Sequence, residues 1–288
     1  MLFPILAGLA ATAGVGLALN AWAERRLLRP DRRYPRAPEQ PAALSQRRLV
    51  CVGDSLTHGN MSASYVEPLA ARLAGAFYQP GWQVLNAGIN ADLTETLLAR
   101  LDDVIRARPT AITLLIGSND VNATLSAAGL NQYRRLGKLR GPARPSVATF
   151  EANLTTIVRR LRAETSAPLA LLSLPPISED LDHEANRRAE LYSQLIKQIA
   201  QREGVAYLPL RERLLAELRA RPGRPRARHE QTTRLVRLAL LRHYALGQSW
   251  DRIAASHGCR FLTDNLHLNA AGARIVEELI AEWLATGL

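Results

Sequence analysis

The sequence has little sulfur and little aromatic character. Its 288 residues include two cysteines, Cys51 and Cys259, which exclude a disulfide scaffold and a four-cysteine zinc site. Both read as buried thiols. Aromatic residues amount to 5%, so a core must come mainly from Leu, Val, Ile and Ala. No repeat with a period of roughly 20–50 residues is visible, which argues against a solenoid or propeller. His183, His229, His243 and His257 show no metal-ligand spacing. What is present suits a globular protein: 47% hydrophobic and 22% charged residues can fill a core and are not the composition of a disordered chain. The length suits one large domain or two small ones.

Lysine is scarce as well, because 35 of the 37 basic residues are Arg, and the formal charge is +11. That charge is concentrated. Residues 25–36 carry +5, residues 134–144 carry +5 and residues 219–243 carry +7, which leaves the rest of the chain at −6. Basic patches attract phosphates, whether of nucleic acid, lipid headgroups or a soluble substrate. An Arg-rich coding bias accounts for the same runs without any function.

Met1 to Ala23 contains no charged side chain. As a helix rising ~1.5 Å per residue it would span roughly 34 Å, enough for a bilayer core. Ala21-Trp22-Ala23 has the small-x-small form of a signal-peptidase site. A basic stretch before the apolar run is missing, however, and the arginines follow it: Arg25, Arg26, Arg29, Arg32 and Arg33. That flank favours an uncleaved membrane anchor with the following domain in the cytoplasm, over export to the periplasm or beyond. Residues 24–46, with Pro30, Pro35, Pro38 and Pro41, read as an extended linker.

From residue 47 onward strands and helices alternate. Short apolar runs at 49–52, 84–85, 111–116, 169–174 and 205–208 read as strands. Helical spacing covers 64–77, 94–107, 150–161, 184–202 and 271–284. This alternation predicts a parallel five-stranded sheet with crossover helices on both faces, a three-layer α/β domain. In such sheets functional groups gather at the carboxyl ends of the strands.

Those ends carry the chemistry. The first strand runs into Gly53-Asp54-Ser55-Leu56, the second into Asn86-Ala87-Gly88 and the third into Gly117-Ser118-Asn119-Asp120. Asp264-Asn265-Leu266-His267 follows near the C-terminus. A serine hydroxyl is a weak nucleophile until a base takes its proton, and an imidazole titrates near neutral pH. Asp264 lies three residues before His267, close enough in a tight turn to fix the tautomer. Each residue also has a plainer reading. Ser55 suits a helix N-cap, Asn119 a turn cap, and Asp264 with His267 an ordinary surface pair. Asp54 and Asp120 read as loop-ordering residues, and His58 as a loop residue near the substrate. The second glycine of a G-x-S-x-G elbow is absent.

Four blocks in this order resemble the SGNH (GDSL) hydrolase superfamily, over about residues 47–288. The resemblance implies a three-layer α/β/α (flavodoxin-like) fold. It implies a serine ester hydrolase with Ser55 as nucleophile and Asp264 and His267 completing a triad. The backbone N–H groups of Ser55 and Gly88 and the side-chain amide of Asn119 would form the oxyanion hole. No metal or cofactor is implied. The blocks do not choose among simple acyl or acetyl esters, lysophospholipids, acyl thioesters and acetylated sugars. An acyltransferase using the same triad is the alternative. A basic nucleic-acid-binding protein on a hydrolase scaffold is a further one, although no nucleic-acid-binding motif is present.

Two basic stretches, 121–146 and 219–257, look like insertions on the catalytic side. They are expected to form a rim or lid for an anionic or lipid-surface substrate. In the second, Leu235, Leu238, Ala239, Leu241 and Leu246 suggest an amphipathic helix, either lying on a membrane or packed on the domain.

Overall fold

The computed structural model describes residues 47–74, 82–139, 142, 144–221, 225–226 and 228–286. The expected anchor at 1–23 and linker at 24–46 lie outside the described residues. Among the described residues, no helix is long and apolar enough to cross a membrane.

Five short strands form the sheet: β1 (Arg48–Gly53), β2 (Gln83–Gly88), β3 (Ala111–Leu115), β4 (Leu169–Leu172) and β5 (Ala206–Leu208). Their order is β2-β1-β3-β4-β5 and every pairing is parallel. Side chains alternate between two cores. Val50, Val52, Ile112, Leu114, Leu169 and Leu171 enter one, while Leu49, Cys51, Ala111, Ala170 and Leu172 enter the other. Burial on both faces explains why these strands read as continuous apolar runs and not as alternating ones.

The helices among the described residues are α1 (Ser55–His58), α2 (Val66–Leu73), α3 (Thr94–Ala99), α4 (Leu101–Arg106), α5 (Ser118–Leu125), α6 (Ala127–Arg135), α7 (Val147–Glu164), α8 (Glu184–Glu203), α9 (Leu210–Ala220), α10 (Thr232–Tyr244), α11 (Trp250–Ser256) and α12 (Ala270–Ala285). Helices α3, α4, α7 and α8 cover one face, and α2, α9 and α12 the other. The three-layer α/β architecture is as the alternation predicts.

Local chemistry sets the boundaries. The stretch 94–107 is two helices, because Arg100 leaves helical geometry and turns its side chain inward. Its guanidinium reaches Asp92 Oδ2 at 2.6 Å, Ala87 O at 3.0 Å and Gly53 O at 3.1 Å. The fourth strand stops short of 174, because the Leu174 N–H goes to Ser193 Oγ at 3.1 Å and not to the ladder. Helix α7 starts before 150, at a capping box between Ser146 and Thr149.

The described parts of both insertions form helices. Helices α5 and α6 bury Ala123, Leu130 and Tyr133 against Leu93 and Leu139 in a satellite core. Helices α10 and α11 bury Ala239, Leu240, Trp250 and Ile253 against Met61. The apolar stripe is therefore split. Leu235 and Ala239 are buried, whereas Leu238 and Leu246 are exposed. The helix packs on the domain and spends most of its apolar face there.

Candidate active site

In a 2-1-3-4-5 sheet the chain leaves β1 and β3 in opposite directions, and a crevice opens at the carboxyl ends between them. The residues after β1 and β3 line this crevice. After Gly53, Asp54 caps α1 by accepting the Leu56 N–H at 2.9 Å, so Ser55 is the first helical residue and not the cap. As the first N–H of the helix, that of Ser55 has no intrahelical acceptor. His58, expected in a loop, closes α1 and is buried.

Gly88 ends β2 directly beneath α1. A side chain there would collide with His58 N, and its Cβ would lie 2.7 Å from Thr57 C and 2.8 Å from Asp54 O. Glycine is required for this approach. Asn86 fastens the same contact. Its amide nitrogen donates to Thr57 O at 2.8 Å, and its oxygen accepts the Gly88 N–H at 2.9 Å.

The distant C-terminal block meets α1 through a small closed loop. Thr263 N and Oγ1 both donate to His267 O, at 2.8 and 2.9 Å, and Leu262 bridges Leu268. Asn265 takes a left-handed conformation, φ 72°, which asparagine tolerates. Asp264 Oδ1 accepts the N–H groups of Leu266 at 3.1 Å and His267 at 2.9 Å. Its Oδ2 faces His267 Nδ1 at 2.9 Å, and His267 Nε2 lies 2.9 Å from Ser55 Oγ. Three residues separated by up to 212 positions thus form one unbroken chain of polar contacts. Ser55 is 4% exposed and His267 2%, so the chain is shielded from bulk water. Burial disfavours the imidazolium, but the charge and hydrogen bond of Asp264, with a smaller push from Asp54, outweigh it and raise the His267 pKa above 6.5.

Asn119 sits at the start of α5, after Gly117 in a φ of 127°. Its amide nitrogen donates to Asp92 O at 2.9 Å and to Asp54 Oδ2 at 3.2 Å, and its oxygen accepts from Tyr133 Oη at 2.7 Å. Of the three expected oxyanion donors, two therefore have partners within the protein: Gly88 N–H on Asn86, and the Asn119 amide on Asp92 and Asp54. Burial pushes both Asp54 and Asp120 up to about 7. Asp120 orders its loop by accepting the N–H and hydroxyl of Thr94.

Several supporting residues escaped the sequence reading. Asp92 is buried between Arg100 and Lys138, with Lys138 Nζ on Oδ1 at 2.7 Å, so the lysine of the first insertion is spent internally. Glu179 is buried and accepts the N–H groups of Arg260, Phe261 and Leu262 at 2.6–3.0 Å, holding the Asp264–His267 loop from below. Cys51 and Cys259 are buried thiols, each pushed up to about 12 by desolvation. A cavity of about 730 Å³ lies between α5, α6, α10 and the start of α8, with Asn122, Gln132, His183, His229, Arg135 and Arg237 in its wall.

The sequence model of the GDSL-like Lipase/Acylhydrolase family matches residues 51–275. The chain belongs to that family. As a member it is a carboxylic ester hydrolase. A comparison with curated proteins finds no match. Solved structures share the fold. The acetyl-xylooligosaccharide esterase Axe2 from Geobacillus Stearmophilus, in the form of a tryptophan-to-isoleucine mutant, is 19% identical with a TM-score of 0.60, over 82% of this chain and 93% of its own. The acetyl xylan esterase AlAXEase is 18% identical with a TM-score of 0.58, over 82% of this chain and 99% of its own. Solved structures of Axe2 include catalytic mutants at a serine, an aspartate and a histidine.

Proposed function

We propose that the hydrolase works through a covalent acyl-enzyme formed on Ser55. The observation that carries this reading is the buried Ser55–His267–Asp264 chain with both links at 2.9 Å. Ser55 Oγ attacks the ester carbonyl carbon while His267 Nε2 takes its proton. Asp264 stabilises the imidazolium and keeps the ring proton on Nδ1. The tetrahedral oxyanion takes hydrogen bonds from Ser55 N–H, Gly88 N–H and the Asn119 amide, and the last two must share or exchange their present partners to reach it. The carbon–oxygen bond to the alcohol breaks as His267 returns the proton to the departing oxygen. Water then attacks the acyl carbon with His267 as base, which releases the carboxylic acid and restores the serine.

We infer a small polar acetyl or short acyl ester as substrate. The cavity between the two insertions has walls of mixed sign, with Arg135 and Arg237 beside Glu184 and Glu230. Ser55, Gly88, Asn119, Asp264 and His267 do not line that cavity, so the substrate reading rests on the activity of the acetylxylan esterase neighbours. Residues 47–288 constitute the hydrolase domain in this reading, and residues 1–23 tether it to a membrane on the cytoplasmic side. A reporter fused after the last residue tests the side. The enzymatic reading is tested with a panel of nitrophenyl esters from acetyl to long acyl, with Ser55→Ala as control. Hydrolysis confined to short chains and abolished in Ser55→Ala is expected. Full turnover by Ser55→Ala refutes the covalent mechanism, and preference for long acyl chains or lysophospholipid refutes the substrate class.

A further inference from the structure

Tyr133 lies on α6, in the first basic insertion, a segment to which the four sequence blocks assign no role. Its side chain is buried in the satellite core with Leu93, Ala123, Leu130 and Leu139. Its hydroxyl is the middle of a short relay. Asn122 Nδ2 donates to Tyr133 Oη at 3.1 Å, and Tyr133 Oη donates to Asn119 Oδ1 at 2.7 Å. The direction of each bond is fixed by chemistry. Asp92 O is a carbonyl and only accepts, so the nitrogen of the Asn119 amide must face it and the oxygen must face Tyr133. Asn122 uses a donor on the phenol oxygen, which leaves the phenol proton for Asn119.

From this geometry we propose that Tyr133 is a positioning residue for the reaction, holding and polarising the Asn119 amide through its oxygen. The proposal rests on the reading of Asn119 as an oxyanion donor. To serve the oxyanion, the N–H on its longer contact, Asp54 Oδ2 at 3.2 Å, must be shared with the oxyanion or released by a shift of the Asp54 carboxyl. The contacts to Asp92 O at 2.9 Å and Tyr133 Oη at 2.7 Å then keep the amide plane in place. A hydrogen bond accepted at the amide oxygen also makes the opposite N–H a better donor, by polarisation along the chain. Burial pushes the Tyr133 phenol far above its ordinary value, so it stays a donor at every working pH. The insertion thus reaches the Asn119 amide through one buried hydroxyl.

The test is a double-mutant cycle on a nitrophenyl acetate substrate. Asn119→Ala is expected to lower kcat by about 10²–10³-fold, as loss of one oxyanion donor does. Tyr133→Phe keeps the ring in its core and removes only the hydroxyl. It is expected to lower kcat about ten-fold with KM unchanged, and to cost nothing further in the Asn119→Ala background. An equal loss in both backgrounds, or a change in KM alone, overturns the proposal and leaves Tyr133 as a packing residue. So does a kcat for Tyr133→Phe within two-fold of the parent while Asn119→Ala is slow. An unchanged kcat in Asn119→Ala overturns the oxyanion reading itself and the proposal with it. If Tyr133→Phe fails to fold, Asn122→Ala decides the matter. It weakens the relay from the other end, and a smaller kcat loss that vanishes in the Asn119→Ala background is the expected result. A loss independent of Asn119 refutes the relay.

Discussion

Replacing Asp264 by Asn changes one atom and should stop the reaction without unfolding the protein. Asp264 Oδ1 accepts two backbone N–H groups, from Leu266 at 3.1 Å and His267 at 2.9 Å. Those donors are fixed by the loop. An asparagine at this site must therefore put its amide oxygen where Oδ1 stands, to avoid facing two N–H groups with a third donor. Its NH₂ then occupies the place of Oδ2, 2.9 Å from His267 Nδ1. Oδ1 also lies 3.1 Å from Nδ1 but already accepts two N–H groups, so the nearer donor favours an accepting Nδ1 and moves the ring proton to Nε2. Nε2 lies 2.9 Å from Ser55 Oγ and would then donate to the serine when it should accept from it. The base is present, well placed and in the wrong tautomer.

The expected loss in kcat is about 10⁴-fold, the effect a wrong tautomer has in Ser-His-Asp triads. At 1.36 kcal/mol per factor of ten this is about 5.4 kcal/mol of transition-state stabilisation. Asp264→Ala should be comparably slow but less stable, because it also strands two buried N–H groups at about 1–3 kcal/mol each. Steady-state hydrolysis of a short nitrophenyl ester gives kcat, and thermal unfolding gives the stability of the same samples. Folded Asp264→Asn protein that retains a tenth of the parent kcat would falsify the tautomer argument, and with it the assignment of His267 as base.

Two further outcomes follow from the same loop. His267 must be neutral to accept the serine proton and its pKa is raised, so the acid limb of kcat/KM should have its midpoint above 6.5 and fall towards lower pH in Asp264→Ala; a midpoint below 6.5 in the parent contradicts the geometry. Glu179→Ala should strand three N–H groups at 260–262 and destabilise the fold by at least about 3 kcal/mol, lowering the melting midpoint by about 6 °C or more, and a shift under 2 °C in a thermal scan shows that the loop does not lean on this carboxylate.

The sheet was legible because each strand is a buried apolar run and each block of polar residues begins where a run stops. Ser55, Gly88 and Asn119 could be placed together from sequence for that reason: parallel strands deliver their carboxyl ends to one edge. Asp264 and His267 were legible as a pair by their spacing, but their meeting with Ser55 needed the resemblance, since nothing local spans 212 residues. The supports were not legible. Glu179 serves N–H groups 81–83 residues away, and one acid of an acidic loop, beside Asp180 and Asp182, carries no mark of that task. Arg100 looks like any polar position on a helix until its guanidinium is seen to close two strand-end carbonyls and pair with Asp92. Tyr133 resembles an ordinary apolar position of an insertion helix, because its hydroxyl finds a partner only after the insertion folds back. Asn86 did carry a signal: an asparagine two residues before a strand-end glycine suits a side chain that turns onto the backbone ahead of it.

The buried acids also set stability and activity against each other. Asp54 and Asp120, ordinarily near 3.8, are pushed by burial to about 7. Between those values the folded chain holds protons that the unfolded chain has lost, so each contribution is full below about 3.8 and is lost as pH rises through about 7. His267, raised from 6.5, adds a loss of the same sign above 6.5. The Arg-paired carboxylates Glu184, Glu190 and Glu203 are lowered from 4.5 and act the other way, but only below 4.5. His229, lowered from 6.5 by burial, opposes the trend with one proton. The melting midpoint should therefore decline from pH 5 to pH 8, while kcat/KM climbs as His267 loses its proton. Asp120→Asn removes one of the buried acids without touching the base, and should flatten the decline while the acid limb stays in place. A midpoint that rises across this range in the parent protein would mean that these carboxyls are ionised in the folded state, and that the crevice is wetter than their burial implies.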